Sequence, residues 1–360
     1  MSIKQVFYAN STYSLFCYLL KGAENSSLKD LTQETLFVSS SALEKVRLPE
    51  GNTIIFDKDK TPIQVLNKEI YKKIGDRKLP WYINVRAPKA DAFLNSKEDI
   101  LILSDGLSDH DEFPKIVTRS NVKECYSTPF MLGGVQDEKI KIFDLQQLWD
   151  KLPGEERTFI YDLFNVSPDV VKQASSRPVV VVTQPLSEDN IMSEKDKVEL
   201  YRRIISNYGE ENVVLKPHPR EGKMNWSGVF PNIPVIPSQA PMEFLARISR
   251  LNRIATFFST AAFGTLPEDR VDFYAADFGK LKSFHPEIEL DENGYKNVAK
   301  SDIEETYRPS EKKEKETVFK CNWLRIPDTD GRFYRDIVDK RMLGKNQTIQ
   351  SFRNNQHTIA

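Results

Sequence analysis

The chain is 360 residues long, which suggests about two domains. Hydrophobic residues at 39% and aromatics at 11% supply a sizeable core and exclude wholesale disorder. Lys+Arg of 51 against Asp+Glu of 52 gives a formal charge of −1, which excludes a global basic field for nucleic acid.

Cys17, Cys125 and Cys321 lie far apart, with no CxxC pair and no Cys/His cluster at zinc spacing. That usage fits a reducing cytoplasm. No stretch approaches about 18 consecutive apolar residues, so no membrane-spanning helix is expected. Asn10, Ser11, Thr12 and Ser14 interrupt the N-terminal apolar run, which argues against a signal peptide.

In chain order, QVFYA (5–9), LFVSS (36–40), TIIFD (53–57) and DILILSDG (99–106) read as buried strands of a parallel sheet. Stretches 11–22 and 61–74 read as helices between them. The alternation predicts a doubly wound, Rossmann-like α/β domain over residues 1–150. Residues 140–176 read as helical, with breaks at Pro153-Gly154 and Ser167-Pro168 and no clear strand, so 151–176 is the expected interdomain connection.

A second series follows: RPVVVVTQ (177–184), a helix over 193–207, NVVLKPHP (212–219), PVIP (234–237), a helix over 241–250, RIATFFST (253–260) and VDFYAADF (271–278). It predicts a second Rossmann-like domain over 177–300, and two such domains in tandem predict a two-lobed enzyme with a central cleft. The run PSEKKEKE (309–316) reads as a solvated linker within a 301–360 tail. FYRDIVDKRML, near the C-terminus, reads as a basic amphipathic helix that docks on the body or touches an anionic membrane surface.

The candidate chemistry falls at strand ends and strand-to-helix turns, where doubly wound domains bind ligands. Directly after NVVL comes Lys216-Pro217-His218-Pro219-Arg220-Glu221. A histidine stiffened by two prolines can give a hydrogen bond or a proton to a phosphate, and Lys216 and Arg220 add positive charge. Ser259 and Thr260, at the end of RIATFFST, have hydroxyls suited to phosphate; an ordinary helix cap is the competing reading. Glu243 opens a predicted helix, where it either complements the dipole or accepts hydrogen bonds from ribose hydroxyls. The loop Thr183-Gln184-Pro185-Leu186-Ser187-Glu188-Asp189 offers carboxylates as a general base, or is a solvated turn. In the first domain, Ser104-Asp105-Gly106 and Asn10-Ser11-Thr12 follow strands and either bind acceptor or simply turn the chain.

Taken together, Lys216-Pro-His-Pro-Arg, the Pro241-x-Glu243 helix start and Phe257-Phe-Ser-Thr-Ala-Ala resemble bacterial sialyltransferases of glycosyltransferase family 52, which include the lipooligosaccharide α-2,3-sialyltransferases. The resemblance is best over residues 178–280. The His-Pro element also occurs in other bacterial sialyltransferase and polysialyltransferase families, and Lys-Pro-His-Pro in capsule Kdo transferases. The resemblance implies a GT-B fold and a CMP-activated acidic sugar as donor. It implies that His218 hydrogen-bonds the donor phosphate and assists CMP departure, that Ser259 and Thr260 hold that phosphate, and that Glu243 binds the cytidine ribose. The family's base is an aspartate in the loop after the first strand of the nucleotide lobe. Here the loop reads QPLSED, and Asp189, Glu188 and Asp105 are all candidates.

The implied activity is inverting, metal-independent transfer of sialic acid from CMP-sialic acid to a galactose-type hydroxyl of a surface glycan, lipooligosaccharide or capsule, with no cofactor and no nucleic-acid partner. The expected location is the cytoplasm, with peripheral contact at the inner membrane through the tail. The competing readings are a CMP-Kdo or other nonulosonate transferase, a nucleotide-diphosphate hexose transferase, and a non-catalytic glycan-binding protein.

Overall fold

In the computed structural model, the described residues are 2–97, 99–104, 113–127, 137–142, 144–189, 193–248, 251, 253–256, 271–273, 305–307 and 319–323. The chain divides into two compact units. Unit one is Met1–Asp169 with Gln239–Arg247, and unit two is Val170–Ser238 with Ile248–Ala360.

Unit one runs β1 (Gln5–Tyr8), α1 (Thr12–Gly22), α2 (Leu28–Gln33), β2 (Thr35–Ser39), β3 (Thr53–Ile55), α3 (Ile63–Ile74), β4 (Trp81–Ile83), α4 (Ala90–Leu94), β5 (Ile100–Leu103), α5 (Phe113–Ile116), β6 (Val122–Ser127), β7 (Ile140–Ile142), α6 (Leu145–Lys151) and α7 (Gly154–Leu163), with α8 (Pro168–Ser175) crossing into unit two. Its strands lie in the order β3-β2-β1-β4-β5-β6-β7. Every pairing is parallel. The order reverses between β1 and β4, and the carboxyl ends of strands at such a reversal are where open α/β sheets bind ligands.

Burial explains the strands. All five residues of β2 are buried, as a parallel sheet covered on both faces requires. Helix α3 turns Leu66, Ile70 and Ile74 inward at helical spacing. Helix α1 is buried from Tyr13 to Leu20 and starts at Ser11, whose hydroxyl accepts from Ser14 N at 3.0 Å.

Unit two continues with β8 (Val179–Val182), α9 (Glu194–Ser206), β9 (Val213–Lys216) and α10 (Trp226–Val229). The chain then places α11 (Met242–Ile248) in unit one before returning for β10 (Arg253–Thr256), β11 (Val271–Phe273), β12 (Glu305–Tyr307) and β13 (Phe319–Trp323). The order is β12-β13-β11-β10-β8-β9. Among the described strands of this sheet, only the β12–β13 pair is antiparallel. Strands β8 and β9 are buried throughout, matching the runs VVVV and VVLK.

The structure adds strands that the sequence pattern hides. Strand β4 has three residues, too few to show a period, and β6 (VKECYS) carries two charges in its first half. Strand β7 overturns the expectation of a strand-free 140–176 segment; it is a three-residue edge strand with little burial, so its apolar signal is weak. PVIP forms a single parallel bridge, Leu215 to Val235, because its prolines cannot donate to a ladder. Strands β12 and β13 pair on either side of the run PSEKKEKE (309–316), the expected linker, which lies outside the described residues. The predicted tail helix lies outside the described residues, and among those described no helix is long and apolar enough to cross a membrane.

Helix α11 packs in unit one through Phe244. Its ring lies 5.9 Å from Phe16, 5.6 Å from Trp149, 5.4 Å from Tyr161 and 6.0 Å from Phe164, centroid to centroid. Gln239 adds a hydrogen bond to Phe164 O at 3.2 Å. The helix was read as part of the second series because it lies between two of that domain's strands, but this aromatic cluster fixes it to unit one.

Candidate active site

Strands β8 and β9 are neighbours in register, Val182 beside Lys216, so their carboxyl ends bring two loops together. Thr183 N continues the ladder to Lys216 O at 3.0 Å. The chain after β9 cannot extend the sheet, because Pro217 and Pro219 lack donors. It turns into a 3-10 segment, Pro219–Glu221, with His218 as its N-cap.

The cap fixes His218 at two points. Its backbone N donates to the Glu221 carboxylate at 2.7 Å, and its ring Nδ1 accepts from Arg220 N at 3.1 Å. This is a capping box with histidine in the usual place of serine. Since Nδ1 accepts, the proton of the neutral ring sits on Nε2. Burial, then the charges of Arg220 and Lys216, push the imidazole down to about 4, against the weaker pull of Asp189 and Glu188. Near neutral pH His218 is therefore an uncharged ring with an Nε2–H donor.

Behind this turn lies a buried ionic cluster. Lys197, from α9, is completely buried; its Nζ lies 3.0 Å from Glu221 and 2.8 Å from Glu188. Glu221 is equally buried and also accepts from the Thr183 hydroxyl. Burial would raise Glu188, but the Lys197 hydrogen bond and charge, with smaller contributions, hold it below the usual carboxylate range. The Lys197 ammonium also lies 5.6 Å from the Trp226 ring centroid. In front of the turn, Arg220 holds Asp189 through two hydrogen bonds of 2.6 and 3.0 Å.

Several predicted residues thus lie on these two loops: His218, Pro219, Arg220, Lys216, Glu188, Asp189 and Gln184. Lys216 is buried, and its ammonium donates to Pro217 O at 2.8 Å and Ser238 O at 2.9 Å. Gln184 is buried in the turn after β8. Glu243 is buried in the first turn of α11, in unit one. Asn10 and Ser11 sit after β1, at the sheet reversal of unit one; Ser11 caps α1, and Asn10 accepts from the Ser40 hydroxyl. Asp105, Gly106, Ser259 and Thr260 lie outside the described residues.

The sequence reading missed two groups. Lys197 was hidden in a charged helix, yet it shares the i, i+3, i+4, i+7 stripe of Leu200, Tyr201 and Ile204, and a lysine on an apolar stripe is a signal. Asn84 was missed with β4. It is fully buried, donates to Leu103 O at 3.0 Å and accepts from Arg86 N at 2.9 Å, tying the ends of β4 and β5 together.

Two Rossmann-like units of this kind make a GT-B fold. The 2,6-sialyltransferase of Photobacterium sp. JT-ISH-224, solved with CMP and lactose, has a similar fold: TM-score 0.52 at 12% identity, over 75% of this chain and 71% of that one. A Photobacterium damsela sialyltransferase aligns over 77% of this chain and 75% of its own, with TM-score 0.48 and 15% identity. Residues 115–278, a stretch that contains Lys197, His218 and Glu221, match the model of Glycosyltransferase family 52. A Haemophilus influenzae protein described as uncharacterized is 36% identical over 179 residues, 49% of this chain and 55% of that one. The chain thus spans about half the length of that relative.

Proposed function

We propose that this protein is an inverting glycosyltransferase that moves sialic acid from CMP-sialic acid to a galactose-type hydroxyl of a bacterial surface glycan, lipooligosaccharide or capsule. The observation that carries the reading is the placement of His218 within the stretch that matches family 52, on a capped turn that engages Nδ1 and leaves Nε2–H without a hydrogen-bond partner among the described residues. In this reading Nε2–H hydrogen-bonds the donor phosphate. Charge grows on that phosphate as the sugar–oxygen bond breaks, so the hydrogen bond strengthens in the transition state. Because Arg220 N engages Nδ1, the neutral ring assists CMP departure through this hydrogen bond and keeps its own proton.

The acceptor hydroxyl attacks the anomeric carbon from the opposite side and loses its proton to a carboxylate. We assign Asp189 as that base. Its partner Arg220 is 57% exposed and can move to an anionic donor, whereas the partner of Glu188 is the immobile, buried Lys197. CMP leaves with a single phosphate, whose charge His218, Arg220 and the hydroxyls of Ser259 and Thr260 can meet, so the reading requires no metal. Glu243 is assigned to the ribose, and Asn10, Ser11 and Gly106 to the acceptor. The protein is placed in the cytoplasm, with its basic tail against the inner membrane surface.

The test is a thermal-shift panel of CMP, CDP, UMP, UDP, GDP and CMP-sialic acid at millimolar concentration without added metal. Shifts with CMP and CMP-sialic acid alone are expected, followed by transfer to lactose-type acceptors. A shift with UDP or GDP instead overturns the donor. A cytidine-selective shift with transfer from CMP-Kdo only overturns the sugar.

A further inference from the structure

We propose that Glu221 is a positioning residue for His218, and that Lys197 keeps its carboxylate in the orientation the role needs. The proposal rests on the reading of His218 as the ligand of the donor phosphate. It adds a residue to which no role has been given and explains an otherwise unfavourable feature, a lysine and a glutamate both completely buried.

Taking both charges out of water is costly, and a buried ion pair is often no more stable than apolar side chains of the same size. Stability is therefore a poor reason for this pair. An apolar residue at 221 could not accept a hydrogen bond. Glu221 accepts three, from three parts of the unit: Thr183 Oγ1 after β8, Lys197 Nζ on α9, and His218 N in the turn after β9.

The division between its oxygens matters. Oε1 takes Lys197, at 3.0 Å, and Oε2 takes His218 N, at 2.7 Å, together with the Thr183 hydroxyl. The bond to His218 N fixes the backbone of the N-cap, at φ −71° and ψ 144°. The bond from Arg220 N to Nδ1 then fixes the ring. The direction of Nε2–H follows from both. Without the first, the ring rides on a loose turn between two prolines.

The carboxylate can be dissected with an amide. In Glu221→Gln one oxygen remains. Turned to His218 N and Thr183, it leaves the NH2 facing the Lys197 ammonium, donor against donor. Lys197→Met removes that clash. The double variant Lys197→Met/Glu221→Gln thus keeps the acceptor for His218 N without the ion pair. Lys197→Met/Glu221→Met lacks both the ion pair and the acceptor, with similar side-chain volumes.

The experiment compares these two full-length double variants with the wild-type protein by two readouts, at conditions where melting curves show all three folded. The first is 15N NMR of the His218 imidazole, assigned by difference from His218→Asn. The second is transfer from CMP-sialic acid, resolved into kcat and KM. The glutamine double variant is expected to keep the Nε2–H tautomer and recover kcat to within about threefold, while the methionine double variant loses about 10- to 100-fold in kcat, with little change in acceptor KM, as misplacement of a catalytic group does. Its imidazole is expected to show mixed tautomers and to titrate closer to the ordinary value of about 6.5. Identical imidazole spectra and equal kcat in the two double variants overturn the proposal. If the wild-type protein itself transfers nothing from CMP-sialic acid, the reading of the donor fails. The imidazole spectra then still decide whether Glu221 positions the ring: two identical spectra refute it, and a tautomer change confined to the methionine double variant upholds it.

Discussion

His218→Asn isolates the energetic consequence of holding an uncharged imidazole in this turn. Asparagine keeps a side-chain acceptor for Arg220 N and is a favourable N-cap, but it does not titrate near neutral pH. In the folded protein the ring falls from 6.5 to about 4. At about 1.4 kcal/mol per pH unit, the folded state forgoes about 3 kcal/mol of protonation that the unfolded chain gains in full. The sign follows from proton counts. Between pH 4 and 6.5 the unfolded chain binds more protons at this site than the folded one, so stability rises with pH across that window and is lost as pH falls. Between pH 7 and pH 5 the loss is about 2 kcal/mol, and solvent at the part-exposed ring screens it to about 1–2 kcal/mol. Urea unfolding of both proteins between pH 5 and pH 7.5 measures it. The wild type should lose about 1–2 kcal/mol more than His218→Asn on acidification. Parallel pH profiles, agreeing within about 0.3 kcal/mol, would refute the placement of the neutral ring.

Lys197→Met alone leaves Glu221 buried and uncompensated, and should lower the unfolding free energy by about 3–5 kcal/mol in urea titrations. Phe244→Ala removes the aromatic ring shared by Phe16, Trp149, Tyr161 and Phe164. A loss of about 3–5 kcal/mol is expected, with faster amide hydrogen exchange in α1 and α7 of unit one. Asn84→Leu removes the acceptor of Arg86 N and the donor to Leu103 O, and should cost about 1–3 kcal/mol. A drop in melting temperature no larger than that of an exposed control such as Val65→Ala would contradict it.

Much of the fold was legible because a parallel sheet covered on both faces writes long, β-branched runs. VVVV and VVLK became β8 and β9, and the helix between them was read nearly to its ends from its charged amphipathic stretch. Short or edge strands have no such signature. Trp81–Ile83 has three residues, and Ile140–Ile142 is mostly solvent-facing. Within the site, the strand-end rule located His218, Arg220 and Asp189. It could not show that Arg220 and Asp189 pair with each other, because their contact joins loops 31 residues apart. Nor could it show that Glu221 caps His218, although a glutamate three positions after an N-cap is a recognised pattern. Histidine is an unusual residue in that position.

The pairing of Arg220 with Asp189 gives the proposed reaction its least obvious consequence. A carboxylate whose oxygens are engaged by two hydrogen bonds from a guanidinium is not free to reach an acceptor hydroxyl. An anionic donor competes for the same guanidinium. Binding the donor should therefore loosen Asp189 at the moment a base is required. Both partners are partly open to solvent, so the pair is worth about 1 kcal/mol. Asp189→Ala releases Arg220 in advance, and CMP should then bind up to about fivefold tighter, the equivalent of that energy. The same substitution removes the base, so transfer should fall by about 100-fold or more. Titration calorimetry with CMP and a transfer assay read the two effects separately, and their opposite signs discriminate. Weaker CMP binding in Asp189→Ala would mean that Arg220 needs Asp189 to stay oriented. A fall in transfer smaller than about tenfold would remove Asp189 as the base and return the role to Glu188 or Asp105.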